Sequence, residues 1–302
     1  MLYKTNILAL VGGGEVPKFS PNKITIWDDH QCKIVSQIRF NSEVIKVKIR
    51  KDSIIGVIYD KIYILNIFTL EIIDIFQTYE NPNGVFSCSN INNDLILAFP
   101  NSQGKGKVQI EQYFITYEAN KKNEAKIINA HESQIACISI NNEGTILATA
   151  SDKGTLIRIF LISKSDQPIA VLKRGKKTVN INCLVFDETS EIIGCTSDAG
   201  TTHLFDISGI IKLIEKEEDK KDNDEEINKK DKNKNNKINI KISVNERSFA
   251  KYKIKEDKSL LGFYQPNKML LITSFGTYHN VSYDTKFKCS KLEDGTLLIL
   301  DK

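Results

Sequence analysis

Two adjacent basic residues, Lys173 and Arg174, stand between two copies of an internal repeat. The copies cover residues 135–160 and 181–206, so that position 135 matches position 181 at an offset of 46. Successive side chains of an extended strand point to opposite sides. Two neighbouring cations in such a strand could therefore complete two separate anion sites, each with hydroxyls and a histidine from its own repeat copy. The alternative is a pair of solvated bases in a loop, and these two residues alone do not decide between them.

The repeat itself indicates the fold. Both copies carry the sequence Ser-Asp-x-Gly-Thr, at 151–155 and at 197–201. A repeat of this length with a polar hairpin of this kind is typical of β-propeller blades. The Trp-Asp pair at 27–28 ends a strand pattern as in WD repeats, and short strand patterns follow one another from residue 6 to residue 130. Because no helical periodicity interrupts them, the sequence predicts an all-β fold, a WD40-type β-propeller.

Composition limits the classes of function. The chain has 302 residues, 41% of them hydrophobic, and a formal net charge of +4. A nucleic-acid partner is not indicated by so small a charge, and any anion site must be local. We find no apolar run long enough to span a bilayer and no secretory signal pattern. The six cysteines are scattered and form no Cys-x-x-Cys pair, which favours reduced thiols and predicts neither a metal site nor a cofactor.

Catalysis is not expected either. The chain has 4 histidines, and no nucleophile elbow, zinc-protease motif or pair of catalytic carboxylates accompanies them. His30 and Cys32 form a short-range pair of metal-ligand type but lack further ligands. The sequence therefore predicts a protein that is not an enzyme.

One stretch of the chain departs from the strand patterns. Residues 215–237 are almost entirely Glu, Asp, Lys and Asn. Such a segment cannot bury enough apolar surface to offset its ordering entropy. We expect one propeller domain over 1–302 with a disordered charged insertion at 215–237.

Three stretches of sequence resemble one known family. Residues 6–29 are similar to the early blade of the PROPPINs, the WD-repeat propellers that bind phosphoinositides in autophagy and endosomal traffic. Residues 130–132 with 148–160 are similar to the fifth blade of that family. Residues 172–175 with 197–205 are similar to its Phe/Leu-Arg-Arg-Gly signature and to its sixth blade. The chain is identified as a member of this family on these motifs.

The resemblance implies two phosphoinositide headgroup sites on the rim of blades five and six. Carried over, the first site would consist of His131, Ser151, Thr155, Arg158 and Lys173. The second would consist of Arg174, Ser197, Thr201 and His203. The chemistry is suitable, because guanidinium, hydroxyl and imidazole groups are the donors that a phosphorylated inositol needs. For each hydroxyl the competing interpretation is a purely structural role in the hairpin turn.

Two departures from the family pattern affect these expectations. Lys173 stands where the signature has its first arginine, so the first site keeps the charge but loses the planar fork. The family has seven blades, and about six are visible here, without the N-terminal blade. Three explanations follow: the sequence is incomplete at the N-terminus, the ring is open, or the ring closes differently.

The resemblance also implies a membrane-inserting loop in blade six. Here that loop is 207–247, and its apolar residues could enter the membrane or simply extend the preceding strand. The residues that would insert are Ile210, Ile211, Leu213 and Ile214.

The family resemblance predicts a peripheral membrane effector. It would be cytoplasmic and recruited to endosomal, vacuolar or autophagic membranes. Its ligand would be phosphatidylinositol 3-phosphate, phosphatidylinositol 3,5-bisphosphate or both, with autophagy-type protein partners. The alternative is a WD40 scaffold for protein–protein interactions, with weak or no lipid binding.

Overall fold

The computed structural model describes residues 5–90, 94–163, 167–213, 245–255, 258–284 and 288–296. Contacts between residues cluster in two compact units, residues 1–138 and 139–302. The described residues form six sheets. The insertion expected at 215–237 lies outside the described residues, and so do two further strands that the sequence pattern predicts, at 239–244 and 297–300.

The first unit contains three sheets, which we number in chain order. Sheet 1 consists of β1 (Ile7–Leu10), β2 (Lys23–Asp28) and β3 (Lys33–Arg39). Sheet 2 consists of β4 (Lys46–Ile49), β5 (Ser53–Val57), β6 (Lys61–Asn66) and β7 (Ile72–Gln77). Sheet 3 consists of β8 (Ser87–Cys88), β9 (Leu95–Pro100), β10 (Lys107–Ile115), β11 (Asn120–Lys122) and β12 (Lys126–Asn129).

Apolar residues on both faces of sheet 2 hold the first unit together. Ile54 and Ile55 are adjacent in β5, both 0% exposed, and they belong to different core clusters. Adjacent strand residues point to opposite faces, so one faces the cluster with Ile24 of β2 and the other the cluster with Phe99 of β9. A sheet covered on both faces needs continuous apolar strands, which explains the runs of isoleucine here.

The boundary between the units falls within β13 (Ile135–Ile140). In the second unit, sheet 4 contains β14 (Ile146–Ser151), β15 (Leu156–Leu161), β16 (Ala170–Lys173) and β20 (Asn245–Arg247). Sheet 5 contains β17 (Ile181–Phe186), β18 (Ile192–Ser197), β19 (Thr201–Asp206) and β21 (Ala250–Lys253). Sheet 6 contains β22 (Ser259–Gln265), β23 (Lys268–Thr273), β24 (Thr277–Asp284) and β25 (Lys288–Thr296).

The two Ser-Asp-x-Gly-Thr motifs form the expected hairpins. Gly154 turns the chain between β14 and β15, and Gly200 turns it between β18 and β19. Their φ angles are +58° and +66°, in the left-handed region that favours glycine. A Cβ atom on Gly154 would lie 2.1 Å from the carbonyl oxygen of Val179, so this position has no room for a side chain.

The segment 245–253, which we call the return segment, connects sheets 4 and 5. Its first part, β20, pairs with β16 in parallel, whereas β15 pairs with β14 and with β16 in the antiparallel direction, as do the paired strands of sheet 5. Its second part, β21, pairs with β19. The outer edges of both sheets are therefore covered by one short stretch of chain.

Several sequence expectations need correction. The sequence pattern also predicts a strand at 85–91, but within the described part only the two residues of β8 form one. β11 and β25 were not expected. Residues 208–213 are helical, so they do not extend β19 as one of the two expectations had it. No helix among the described residues is long and apolar enough to cross a membrane.

Candidate functional site

Lys173 and Arg174 separate at the end of β16. Lys173 is the last residue of this strand, lies in register with Leu156 of β15, and is exposed. Arg174 is the next residue and only 7% exposed. Its amide nitrogen donates to the carbonyl oxygen of Thr155 at 3.0 Å, which keeps the backbone extended for one more step. The two side chains therefore leave the strand in different directions, as the alternation predicts.

The guanidinium of Arg174 is only partly used by the protein. Its Nε donates to the carbonyl oxygen of Gly154 at 2.7 Å, and Nη2 donates to that of Lys177. An arginine has five N–H donors. The other three donors of Arg174 make no hydrogen bond to the described residues, so they are available to a ligand. Burial lowers the pKa of Arg174, against the opposing effect of Cys195 and Asp198, but an arginine stays protonated in proteins. Arg174 is thus a buried cation, and it interacts electrostatically with Cys195 and His203, which are cross-strand partners in sheet 5.

His203 shares a face of sheet 5 with Cys195, its cross-strand partner in β18. It is 4% exposed, its ring stacks on Phe205 with centroids 6.3 Å apart, and its Nδ1 lies 3.1 Å from Oγ of Ser248. Burial, followed by the charges of Lys251 and Arg174, lowers the pKa of His203 from 6.5 to about 4. The imidazole is therefore neutral at pH 7. When the Ser248 hydroxyl donates to Nδ1, Nε2 carries the hydrogen and can donate to an anion.

Cys195 of β18 and His203 of β19 are cross-strand partners and share a face of sheet 5. Ser197 lies two residues from Cys195, and Thr201 lies two residues from His203, so both are on that face. Their hydroxyls contact the carbonyl oxygens of Thr201 and Ala199 respectively, both at 3.4 Å. These contacts are longer than usual O–H···O bonds. Ser197 is only 1% exposed and its carbonyl oxygen accepts the amide of Gly200, so it also holds the turn.

Two lysines outside the repeat motifs lie beside this set of residues. Lys251 of β21 pairs with His203, and Lys253 pairs with Thr201. Both are exposed, and their register places them on the face that carries His203. The alternation of lysines in 251–253 was the available signal, but only the pairing with β19 brings them to the site.

The residues expected in the first site lie in both units. His131 belongs to the first unit, where its amide nitrogen donates to the carbonyl oxygen of Gly106 at 2.9 Å. In the second unit, Arg158 is paired with Val171, two residues before Lys173. The remaining two residues are in the hairpin: Ser151 is 6% exposed and Thr155 is half-buried.

Sheet 4 brings the charged members of this first set to one face. Leu156 lies opposite Lys173, and Arg158 lies opposite both Val171 and Thr149. Cross-strand partners share a face, and so do residues two apart in one strand. Arg158 and Lys173 are therefore on the same face, together with Ser151, which follows Thr149 by two residues.

The apolar residues after β19 do not form one exposed surface. Ile210 is 3% exposed, so it belongs to the protein interior, and its expected insertion into a membrane is corrected. Ile211 is half-buried, and Leu213 is 48% exposed. Ile214 lies outside the described residues. Leu213 alone of the described residues in this set remains strongly exposed.

Comparison with protein families decides the identity of the chain. The PROPPIN family model matches residues 10–240, which is most of the sequence. The chain belongs to the PROPPIN family. Autophagy-related protein 18e of Arabidopsis thaliana is 29% identical over 298 residues, covering 94% of this chain and 71% of that relative. SVP1-like protein 2 of Emericella nidulans is 34% identical over 209 residues, covering 68% of this chain and 62% of that relative.

Solved PROPPIN structures share the fold of the chain. Hsv2 of Kluyveromyces lactis with a complete loop 6CD superposes with a TM-score of 0.74 at 17% identity, covering 98% of this chain and 85% of that one. KlAtg21, in a complex with the coiled-coil of AgAtg16, superposes with a TM-score of 0.71 at 19% identity, covering 98% of this chain and 84% of that one. The predicted fold class, an all-β WD40-type propeller, is confirmed. The six described sheets agree with the expectation of about six blades.

Proposed function

We propose that this PROPPIN is a non-catalytic effector that binds phosphoinositide-containing membranes in autophagy or in endosomal and vesicular traffic. Its ligands are phosphatidylinositol 3-phosphate, phosphatidylinositol 3,5-bisphosphate or both. The first site comprises His131, Ser151, Thr155, Arg158 and Lys173. The second comprises Arg174, Ser197, Thr201 and His203, with Lys251 and Lys253 beside them. The protein is cytoplasmic and is recruited to endosomal, vacuolar or autophagic membranes.

The arrangement of Arg174 and His203 is the observation that carries this proposal. Arg174 is 7% exposed, two donors of its guanidinium are fixed by the carbonyl oxygens of Gly154 and Lys177, and three donors remain. The neutral imidazole of His203 and the lysines of β21 lie on the neighbouring sheet face. Oriented donors with little freedom to lose on binding suit the several oxygens of a phosphate group.

Two sites on one protein explain how a membrane is selected over a single headgroup. Binding of one site to a lipid makes the second binding event intramolecular, so that the affinities combine through the effective concentration. The exposed Leu213 adds apolar contact with the lipid surface. Membranes rich in the lipid are therefore bound far more tightly than isolated headgroups.

Vesicle flotation of the Lys173→Thr/Arg174→Thr variant tests the site assignment. We expect wild-type protein to float with phosphatidylcholine vesicles that contain either 3-phosphorylated lipid and not with pure phosphatidylcholine vesicles. Each lost charged hydrogen bond is worth about 1.5–3 kcal/mol, so the double variant should bind at least roughly a hundredfold more weakly. The control Lys18→Thr/Lys33→Thr removes the same charge from exposed positions of the first unit. Equal flotation of the two double variants would refute the assignment.

A protein-docking role is a second candidate function. In the first unit, Phe68 is 52% exposed and Tyr117 is 70% exposed, and their rings form an edge-to-face pair with centroids 6.3 Å apart. Asn66 fixes the two turns that carry them, because its Nδ2 donates to the carbonyl oxygen of Thr116 at 2.9 Å. Exposed aromatic residues held in place are typical of protein interaction sites.

The docking role predicts an interaction that is independent of lipid. A coiled-coil segment of an Atg16-type protein is a suitable probe, because the related KlAtg21 forms a complex with such a segment. Phe68→Ser/Tyr117→Ser should lose capture of autophagy-type protein partners such as this probe and keep vesicle flotation. A scaffold with weak or no lipid binding is the correct description if wild-type protein captures the probe but does not float. Capture by the double variant at the wild-type level would contradict this surface.

A further inference from the structure

The return segment places an arginine beside Lys173. β20 pairs with β16 in parallel, and the register matches Val171 with Asn245 and Lys173 with Arg247. Neighbouring strands lie about 4.8 Å apart, and register partners share a face of the sheet. Arg247 is exposed, as is Lys173. Their side chains therefore project next to each other from the outer edge of sheet 4.

Arg158 lies on the same face. It is two residues from Leu156, the cross-strand partner of Lys173 in β15. Three cations thus follow one another across adjacent strands, from Arg158 through Lys173 to Arg247. Neither Lys173 nor Arg247 forms an ion pair with any residue that the structure describes. Like charges opposite each other destabilise a sheet, and a bound anion reverses that effect.

The chemistry of the two neighbours is complementary. Lys173 offers a compact ammonium on a flexible chain, which attracts an anion but does not fix its orientation. Arg247 offers a planar guanidinium whose parallel N–H groups match two oxygens of one phosphate. The fork that is missing at Lys173 can thus come from the next strand, at a position 74 residues later in the sequence (247 minus 173).

We propose that Arg247 is a phosphate-binding residue of the first site and supplies the planar fork beside Lys173. The ligand is a phosphate monoester, and the assignment rests on the proposed lipid-binding function. In this arrangement Lys173 provides the charge and Arg247 the orientation, so the two residues together replace one arginine. Binding at the first site then depends on β20 remaining paired with β16.

Arg247→Gln tests the inference in the full chain. Binding is measured with vesicles containing phosphatidylinositol 3-phosphate and, separately, by calorimetry with soluble inositol 1,3-bisphosphate, which distinguishes a membrane ligand from the free phosphate ester. We expect Arg247→Gln to weaken vesicle binding about tenfold, as for the loss of one charged hydrogen-bond pair. Arg247→Lys should weaken it similarly, since charge without the fork is not sufficient.

The matched control is Lys255→Gln, which removes one exposed charge just after the return segment and should bind like the wild type. Lys173→Arg in the Arg247→Gln background should restore binding, because it returns a fork to the same face. The inference is overturned if Arg247→Gln behaves like Lys255→Gln, or if Lys173→Arg gives no rescue. If Arg247→Gln lowers the midpoint of thermal unfolding, Arg247→Lys is compared with Lys255→Gln instead, because it retains the charge.

Failure of the inference is distinguishable from failure of the proposed function. If wild-type protein binds vesicles and the Lys173→Thr/Arg174→Thr variant does not, the lipid sites stand, and an inert Arg247 rejects the fork alone. If wild-type protein binds neither vesicles of any composition tested nor the soluble ester, both the function and the inference are rejected. Tight binding of the soluble ester without vesicle binding would retain the fork and reject the membrane as its source.

Discussion

Replacing His203 with asparagine should flatten the acid side of the pH dependence of stability. Asparagine retains a hydrogen-bonding group near Ser248 but cannot be protonated. The buried imidazole of His203 has a pKa of about 4 in the folded chain, where its charged form is disfavoured by burial and by Lys251 and Arg174. In the unfolded chain it returns to its ordinary value of 6.5. The unfolded chain therefore binds this proton first as the pH falls.

The direction and size of the effect follow from that difference. Between pH 6.5 and pH 4 the unfolded state gains a proton that the folded state lacks, so stability present above pH 6.5 is lost as the pH falls through this range. Each pH unit of difference corresponds to 1.36 kcal/mol, so His203 lowers the free energy of unfolding by about 3 kcal/mol between pH 7 and pH 4. The asparagine variant lacks this contribution.

Urea unfolding followed by circular dichroism from pH 7.5 to pH 4 measures the difference. The control is His30→Asn, an exposed histidine in the first unit, whose stability should follow the wild-type curve. NMR titration of the His203 ring gives its pKa directly. If His203→Asn loses as much stability as the wild type between pH 7 and pH 4, or if the ring titrates near 6.5, His203 is not a buried neutral group and its assigned role as an oriented donor is wrong.

Two further predictions concern stability. Asp52 accepts hydrogen bonds from Nε and Nη2 of Arg50 at 3.0 and 2.8 Å, and Arg50 is 2% exposed. Because Asp52→Ala leaves a buried charge without its partner, it should lower the free energy of unfolding in urea by about 3–5 kcal/mol. The variant Arg50→Met/Asp52→Leu removes both charges and should recover most of that loss. A double variant as unstable as Asp52→Ala would show that the cost is not that of a buried uncompensated charge. Gly154→Ala should lower the free energy of unfolding by more than about 1 kcal/mol, because its Cβ would clash with the carbonyl oxygen of Val179. The control Gly262→Ala places a Cβ with no other atom within 4 Å and should leave the free energy of unfolding nearly unchanged. Equal unfolding midpoints for the two alanine variants would contradict this reasoning.

The sequence predicts strands well where burial decides them. β5 and β6 are apolar on both faces. Their isoleucine-rich pattern follows from the two core clusters that lie on either side of them. β11, with the sequence Asn-Lys-Lys, is exposed throughout and is a strand only because it pairs with the end of β10. β25 contains Lys, Asp and Gly and is held by β24. Polar edge strands owe their conformation to a partner strand, which no local pattern reveals.

The same distinction applies to the candidate site. The divergence of Lys173 and Arg174 was predictable, because it depends only on the alternation of neighbouring side chains at the end of β16. Arg247, Lys251 and Lys253 were not, since the register of the return segment against two separate sheets is needed to bring them there. The stretch 215–237 separates them in sequence from the hairpins they join, and the alternation of lysines at 251–253 does not by itself indicate the strand with which they pair.

In the proposed arrangement, the return segment makes the two phosphoinositide sites mechanically dependent on each other. Its first strand holds Arg247 against sheet 4, its second holds Lys251 against sheet 5, and Ser248 between them contacts His203. A force that peels this segment from the sheet edges withdraws groups from both sites in one movement. Binding of phosphoinositide at both sites would then weaken together. The protein would leave the membrane in one step and not in two successive steps.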